Sequence, residues 1–272
     1  MQTKIITYQG SPVSYNIIGE GKPVILLHGF AENADVWHYQ VDFLKLYFRL
    51  IIPDIPGSGK SSLIKNANIE TYCEAIKAIV DTELQFNPTY KTVAMIGHSL
   101  GGYITLAFAE KYPSLLNSFG LFHSTAFADT EEKKQVRVKA IDFIKANGAY
   151  TFIKTSTPGL FTDEFKNNHS KEIEVLIEGS KKISQEALIQ YYHAMIARPE
   201  RINVLKTFSK PILFIIGEKD NAVPLQSSLQ QCYLPSQSYV HILQKSAHMG
   251  MWEEAEKANQ ILLKFLTSIN YE

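Results

Sequence analysis

Short runs of apolar residues recur along this chain without the polar alternation of a half-exposed strand. Glycine, proline or aspartate bounds each run, and stretches of helical period lie between the runs. Strands that are apolar on both faces need a mostly parallel sheet with helices on both sides. The sequence therefore predicts a doubly wound α/β fold. The predicted strands include residues 24–27, 50–52, 92–96, 119–122 and 212–216.

The overall charge limits the partners that the chain can have. Its 272 residues carry 27 basic and 27 acidic side chains, so the formal net charge is zero. A nucleic-acid binder needs a basic surface that neutralises phosphates. We therefore expect no nucleic-acid partner.

Several features bear on where the protein resides. No apolar run approaches the roughly 20 residues that cross a bilayer, and the N-terminus lacks the apolar core of a signal peptide. Cys73 and Cys232, the only cysteines, have no metal-ligand or redox spacing, which favours two buried free thiols. We expect a cytoplasmic protein without a membrane span.

One segment interrupts the alternation of strands and helices. Residues 126–198 show an amphipathic helical pattern without a convincing strand. We therefore predict a core domain of residues 1–125 and 199–272 with a helical cap of residues 126–198. Ligands of open α/β sheets bind beyond the carboxyl ends of the strands, so a cap at that edge would cover the site and set specificity. A helical subdomain that packs for stability alone is the alternative.

The segment "VAMIGHSLGGYITLAFAEKYP" places a G-x-S-x-G sequence between an apolar strand and a helix. A turn of this kind exposes a serine hydroxyl at the edge of a sheet. The flanking glycines leave room for the strained backbone of the serine. The pattern predicts Ser99 as a catalytic nucleophile, and the alternative is a tight turn without catalysis.

A serine hydroxyl needs a base within hydrogen-bond reach, and the base needs a third group that orients it. His248 lies in "QKSAHMGMWEE", a loop between the last predicted strand and the last predicted helix. Asp220 follows the strand in "PILFIIGEKDNAVP", which gives the chain order serine, acid, histidine. We predict His248 as the base and Asp220 as the acid, with Asp129 as the alternative acid.

The charge that develops on a substrate carbonyl oxygen needs backbone N–H donors. Leu100 follows the serine at the start of its helix, and Phe30 lies in "HGFAEN", the loop after the strand at residues 24–27. We predict that the N–H groups of Phe30 and Leu100 form an oxyanion hole.

Five segments resemble, in order and spacing, the landmarks of the α/β-hydrolase fold superfamily and its capped, esterase-like serine hydrolases. They are "LLHGF", "PDIPGSGKSS", "GHSLGG", "FIIGEKD" and "AHMGMWEE". The second segment ends in Gly-Lys-Ser like a nucleotide-binding loop, but Asp54 stands where such a loop needs a glycine. In the family that it resembles, this segment is a structural loop. Ser99 separates the chain from haloalkane dehalogenases and epoxide hydrolases, which carry aspartate at the elbow.

The resemblance implies a serine hydrolase that cleaves a carboxylic ester or a related acyl compound through an acyl-enzyme. It implies no metal and no organic cofactor. The expected partner is a small apolar acyl substrate, and the oligomeric state stays open. The same triad also serves carbon–carbon bond, lactone or amide hydrolysis, acyl transfer and cofactor-free peroxidase chemistry. The alternative outside catalysis is a ligand-binding receptor with slow or no turnover.

An acyl pocket would need apolar side chains from the cap and the loops. Each side chain of this kind is also a candidate for core packing. The candidates are Phe127, Phe152, Phe161, Tyr191, Met195 and Trp252.

Overall fold

The computed structural model describes residues 1–269, in which eight strands form one sheet accompanied by twelve α-helices. The strands are β1 (Gln2–Tyr8), β2 (Ser11–Ile18), β3 (Pro23–Leu27), β4 (Arg49–Pro53), β5 (Val93–His98), β6 (Leu116–Phe122), β7 (Ile212–Gly217) and β8 (Ser238–Leu243). The helices are α1 (His38–Leu44), α2 (Ile69–Phe86), α3 (Leu100–Lys111), α4 (Glu131–Asn147), α5 (Ala149–Ser156), α6 (Asp163–Asn168), α7 (Ser170–Gly179), α8 (Gln185–Ala197), α9 (Ile202–Thr207), α10 (Leu225–Cys232), α11 (Gly250–Glu253) and α12 (Ala255–Ser268). None of these helices is long and apolar enough to cross a membrane.

The strands follow the order β1-β2-β4-β3-β5-β6-β7-β8 across the sheet. β2 pairs antiparallel with β1 and β4, whereas all pairs from β4 to β8 are parallel. β3, β5, β6 and β7 are buried along their whole length, as their continuous apolar sequences predict. The predicted α/β fold with a mostly parallel sheet is confirmed. β6 begins at Leu116, before its predicted start at residue 119, because Leu116 and Ser118 already pair with β5. The polar Asn117 and Ser118 in this first part of the strand interrupt the apolar run, so the sequence pattern did not include them.

The chain order places helices on both faces of the sheet. The step from β3 to β4 moves one way across the sheet, and the steps from β5 to β8 move the other way. Because such crossovers are right-handed, their helices lie on opposite faces. Accordingly, α1 packs against α12, whereas α2 packs against α3. The direction reverses between β3 and β5, and the crevice beyond their carboxyl ends is where an open α/β sheet binds its ligand.

Helices α4 to α8 lie within residues 126–198, between β6 and β7. α4 packs against α5 and α8, so these helices form a layer with internal contacts of its own. Two hydrogen bonds join the layer to the region after β8. The N–H of His248 donates to the carbonyl oxygen of Leu160 at 2.9 Å, and the N–H of Thr162 donates to Glu253 Oε1 at 2.7 Å.

The two cysteines lie far from each other in the sequence, Cys73 in α2 and Cys232 at the end of α10. Both are buried and free, as predicted. Burial raises the pKa of each thiol to about 12, so neither is a thiolate at neutral pH.

The segment that ends in Gly-Lys-Ser forms a loop whose shape depends on a buried carboxylate. Asp54 Oδ2 accepts the N–H of Lys60 at 2.9 Å. Gly59 packs against this carboxylate with φ 51°, and a Cβ there would lie 2.3 Å from it. His28 joins the loop to the end of β3, since its Nε2 accepts the N–H of Ile55 at 2.9 Å. The loop therefore supports the neighbouring loop after β3, and the next helix, α2, begins only at residue 69.

We predict that Gly59→Ala destabilises the fold by about 2–4 kcal/mol, because alanine is strained at this φ and its Cβ overlaps the Asp54 carboxylate. Gly159→Ala is the matched control, since no atom lies within 4 Å of a Cβ built there. The control should change the free energy of unfolding by less than about 0.5 kcal/mol. Urea denaturation measures both. Equal losses in the two variants would show that the Asp54 loop tolerates a side chain.

Candidate active site

Ser99 occupies the sharp turn between β5 and α3. Its backbone has φ 49° and ψ −112°, a sparsely populated region that costs a non-glycine residue about 1–3 kcal/mol. The Ser99 N–H donates to the Phe122 carbonyl oxygen at 3.0 Å, and Ser124 Oγ donates to the Ser99 carbonyl oxygen at 2.8 Å. A Cβ on Gly97 would lie 2.4 Å from the backbone of Gly101. The glycines of the G-x-S-x-G sequence are therefore needed where the turn folds back on itself.

His248 follows β8 and faces the carboxylate of Asp220, which follows β7. His248 Nδ1 lies 2.8 Å from Asp220 Oδ2. The other oxygen, Oδ1, accepts the N–H groups of Ala222 at 2.7 Å and Val223 at 2.9 Å. Burial opposes ionisation of Asp220, but its histidine partners outweigh burial and hold its pKa well below the ordinary value. The carboxylate is therefore ionised and fixed in position.

Asp129, the alternative acid, lies away from His248. Its carboxylate pairs with Arg137 Nε at 2.6 Å and with Arg198 Nη2 at 3.0 Å. Burial opposes ionisation of Asp129, but the two arginines outweigh burial and lower its pKa. Of the two candidate acids, the structure brings Asp220 to His248.

A second histidine packs against the Asp220 carboxylate. His123 follows β6 with φ 48°, and its Nδ1 lies 3.3 Å from Asp220 Oδ2. Its ring fills the space beside Gly217 and Gly250, where a Cβ would come within 2.8 Å and 2.5 Å of the ring. Burial lowers the pKa of His123 to about 4. His123 is therefore neutral at pH 7 and adds no positive charge beside Asp220.

A buried ion pair lies beneath the serine turn. His98 Nδ1 lies 3.1 Å from Glu32 Oε2, and His98 Nε2 lies 3.0 Å from the His248 carbonyl oxygen. Both partners are acceptors, so both ring nitrogens donate and the imidazole is cationic. Burial lowers the pKa of His98 and raises that of Glu32, but their attraction wins: the net pKa of His98 is raised and that of Glu32 is lowered. Glu32 also accepts the Gly29 N–H at 2.5 Å, so the pair joins the loop after β3 to the backbone of His248.

The N–H groups of Phe30 and Leu100 donate to no acceptor within residues 1–269. Leu100 is the first residue of α3, and the first N–H groups of a helix have no partner within it. Phe30 follows Gly29, whose N–H is occupied by Glu32. Both predicted oxyanion donors are therefore free for a ligand.

Ser99, His248 and Phe30 line one cavity of about 500 Å³, a volume that suits a small molecule. Residues 126–198 contribute apolar and aromatic side chains to the same cavity, among them Val136, Leu160, Tyr192 and Met195. The Ser99 hydroxyl makes no hydrogen bond to any residue that the structure describes, and bonds of this kind commonly tighten only when substrate binds.

Most side chains expected to line an apolar pocket lie elsewhere. Met195 lines the cavity, but Tyr191 is fully buried and its hydroxyl donates to the Pro56 carbonyl oxygen at 2.9 Å. Trp252 is also buried, and its Nε1–H donates to the Val36 carbonyl oxygen at 2.8 Å. Tyr191 therefore joins α8 to the loop after β4, Trp252 bonds to the region after β3, and neither lines this cavity.

Sequence reasoning missed His123 and Glu32. A signal for His123 did exist, because it directly follows a strand of the parallel sheet and so lies at the edge that carries Ser99 and Asp220. Glu32 carried no local signal, since its partner His98 is 66 residues away along the chain.

Comparison with known proteins gives a consistent result. A family model described as alpha/beta hydrolase fold matches residues 22–255. The chain is 24% identical to a 2-hydroxy-6-oxononadienedioate/2-hydroxy-6-oxononatrienedioate hydrolase from a Pseudomonas species, over 93% of this chain and 91% of that protein. It is 24% identical to a pimeloyl-(acyl-carrier protein) methyl ester esterase from Vibrio cholerae, over 93% and 97%. A malate-bound thermophilic esterase from Thermogutta terrifontis superposes with a TM-score of 0.90 and 25% identity, over 98% and 99% of the two chains.

The pKa shifts of Glu32 and His98 predict a pH window in which their ion pair stabilises the fold. The Glu32 contribution is present above its unfolded pKa and is lost as pH falls; the His98 contribution is present below its unfolded pKa and is lost as pH rises. The pair is therefore fully effective between about pH 4.3 and 6.5.

We expect Glu32→Gln to lower the free energy of unfolding by about 3 kcal/mol at pH 6 and by clearly less at pH 9. Urea denaturation at the two pH values measures the difference. Glu131→Gln is the control, because it removes an exposed partner of Lys134 and should have little effect at either pH. An equal loss for Glu32→Gln at both pH values would contradict a charged His98.

Proposed function

The chain belongs to the alpha/beta hydrolase fold family, and on this basis we propose that it is a serine hydrolase that cleaves a carboxylic ester or a related acyl substrate. The observation that carries the proposal is that Ser99, on a strained turn, lines one cavity with His248, whose ring is paired with Asp220. Such an arrangement contains a nucleophile, a base and a group that orients the base.

In the proposed acylation step, Ser99 Oγ attacks the substrate carbonyl carbon while His248 Nε2 takes the hydroxyl proton. Asp220 accepts the Nδ1–H of His248, which leaves Nε2 of the neutral ring as the acceptor. The carbonyl oxygen becomes negatively charged and accepts the N–H groups of Phe30 and Leu100. The bond to the leaving group then breaks, and His248 returns its proton to the departing oxygen.

In the proposed deacylation step, water releases the acyl group from Ser99. His248 takes a proton from the water as its oxygen attacks the acyl carbon. The bond between that carbon and Ser99 Oγ breaks, and His248 returns the proton to the serine. The products are a carboxylic acid and an alcohol, and the balance needs no further reactant.

A second candidate function is hydrolysis of a carbon–carbon bond next to a ketone. It is favoured by the similarity, over 93% of this chain, to the hydrolase named for 2-hydroxy-6-oxononadienedioate. The same three side chains would act, but His248 would protonate a carbon instead of an oxygen. Turnover of diketones without turnover of aryl esters or lactones, by the purified protein, would favour this candidate.

We also propose that residues 126–198 form a cap that sets specificity, with residues 1–125 and 199–272 as the core domain. Support comes from side chains such as Tyr192 and Met195, which line the cavity that contains the candidate nucleophile. A layer in this position excludes water and presents apolar surface to an acyl chain, where each buried methylene contributes about 0.8 kcal/mol.

We predict that Ser99→Ala abolishes labelling by a fluorophosphonate and lowers kcat for aryl esters by about 10⁶-fold, because it removes the nucleophile. Intact mass and release of 4-nitrophenol measure the two effects. Ser62→Ala is the control, since Ser62 is exposed and lies outside the cavity. Labelling that persists in Ser99→Ala would place the nucleophile elsewhere.

Asp220→Asn should lower kcat by about 10⁴-fold, because an amide cannot hold the imidazole in the tautomer that accepts a proton. Asp129→Asn should cause a far smaller loss, since its partners are arginines and not His248. Initial rates with one ester and circular dichroism of each variant separate catalysis from folding. The reverse ranking would assign the acid to Asp129.

A further inference from the structure

A cluster of cationic and phenolic side chains borders the same cavity and has no part in the proposed hydrolysis. Lys133 and Arg137 come from α4, and Tyr103 comes from α3, one helical turn after Ser99. Arg198 stacks on this tyrosine, with its guanidinium carbon 3.8 Å from the ring centroid. We call Tyr103, Lys133 and Arg137 the basic cluster.

Lys133 brings an unpaired charge to the cavity. Its Nζ donates to the Ala222 carbonyl oxygen at 2.7 Å, and no carboxylate pairs with it within residues 1–269. The next residue, Lys134, instead pairs with Glu131 at 2.7 Å. Lys134 thus has a carboxylate partner, whereas Lys133 extends to the loop that follows β7.

The arginines add a second excess of positive charge. Arg137 and Arg198 share the single carboxylate of Asp129, and their side chains are only 12% and 3% exposed. Two guanidinium groups against one carboxylate leave one charge without a counter-charge. Shielding from water makes an uncompensated charge costly, so an anion that reaches it is bound more strongly than at an open surface.

Tyr103 contributes a hydroxyl without a partner. The residue is 3% exposed and lines the cavity, yet its hydroxyl makes no hydrogen bond within the part of the chain that the structure describes. Burial raises the pKa of Tyr103, but Arg198, Arg137 and Lys133 outweigh burial and the net pKa is lowered. The hydroxyl therefore lies in a positive potential and is a ready donor to an anion.

We propose that the basic cluster binds the free carboxylate of a substrate that carries a second acid group at the far end of its acyl chain. This inference rests on the proposed function, since the other end of the substrate must reach Ser99. The two acidic residues at the cavity do not cancel the charge: Glu32 is paired with His98, and Glu132 is exposed to solvent. A purely apolar substrate, as expected from the sequence, would leave Lys133 without a counter-charge and the Tyr103 hydroxyl without a partner.

A short dicarboxylate suits this arrangement. Tyr103 lies in the first turn of α3, directly after the serine turn, and both residues line the same cavity of about 500 Å³. Adipate carries its two carboxyl groups at the ends of a short, flexible methylene chain. Adipate monoesters are therefore the appropriate probes.

The test compares three 4-nitrophenyl esters: hexanoate, the monoester of adipate, and the same adipate ester with its free acid methylated. We expect the wild type to prefer the charged ester through a lower KM. Lys133→Gln should lower this preference by about tenfold, the effect of losing one charge-assisted hydrogen bond. Tyr103→Phe, which keeps the ring beneath Arg198, should also lower the preference for the charged ester. Lys134→Gln, the matched control, should leave the preference unchanged.

A binding arm separates the subsite from the reaction. Adipate should raise the melting temperature of Ser99→Ala more than hexanoate does, and Lys133→Gln in that background should remove the difference. Turnover of the neutral esters without preference for the charged ester would overturn the subsite and leave the proposed hydrolase standing. Stabilisation by adipate with no ester turnover would support the subsite and contradict the proposed hydrolase. Equal effects of Lys133→Gln and Lys134→Gln would show that the preference comes from general surface charge and would overturn the subsite.

Discussion

The parallel arrangement of β4 to β8 is the constraint on which the site depends. Parallel strands end at the same edge of a sheet, so the loops that follow them meet there whatever their separation along the chain. Ser99 follows β5, Asp220 follows β7 and His248 follows β8. Each residue follows a different strand, and only the common edge brings the three into one region of the fold.

Buried polar and charged side chains hold the loops in place at this edge of the sheet. The pairing of His98 with Glu32 joins the loop after β3 to the backbone of His248, and neutral His123 packs against Asp220. Loss of one partner of a buried ion pair is costly, because the remaining charge is left buried without a counter-charge, so each partner holds the other in place. Here the pair connects the loops that would supply the oxyanion donor and the base.

The helical layer completes the cavity, and its contacts also affect the core. The Leu160 carbonyl oxygen accepts the His248 N–H, so a residue of the layer helps to position the candidate base. In addition, Lys133 of α4 donates a hydrogen bond to the Ala222 carbonyl oxygen in the loop that carries Asp220. A movement of the layer would therefore change the pocket and the supports of two candidate catalytic residues together.

The sequence by itself determined most of the strands and helices and the strained turn at Ser99. Continuous apolar runs identify buried strands, and the glycines around Ser99 identify a strained turn, because both depend on residues adjacent in the chain. It also placed Asp220 and His248 after the correct strands, although it left Asp129 as an alternative.

Only the tertiary structure shows which of these carboxylates lies beside His248, because Asp220 contacts that ring and Asp129 instead pairs with Arg137 and Arg198. It likewise revealed the partnership of His98 with Glu32 and the position of Lys133 and Tyr103 at one cavity. Such pairings depend on distances between residues far apart in sequence. The charge that each group carries depends on burial, and burial exists only once the chain has folded.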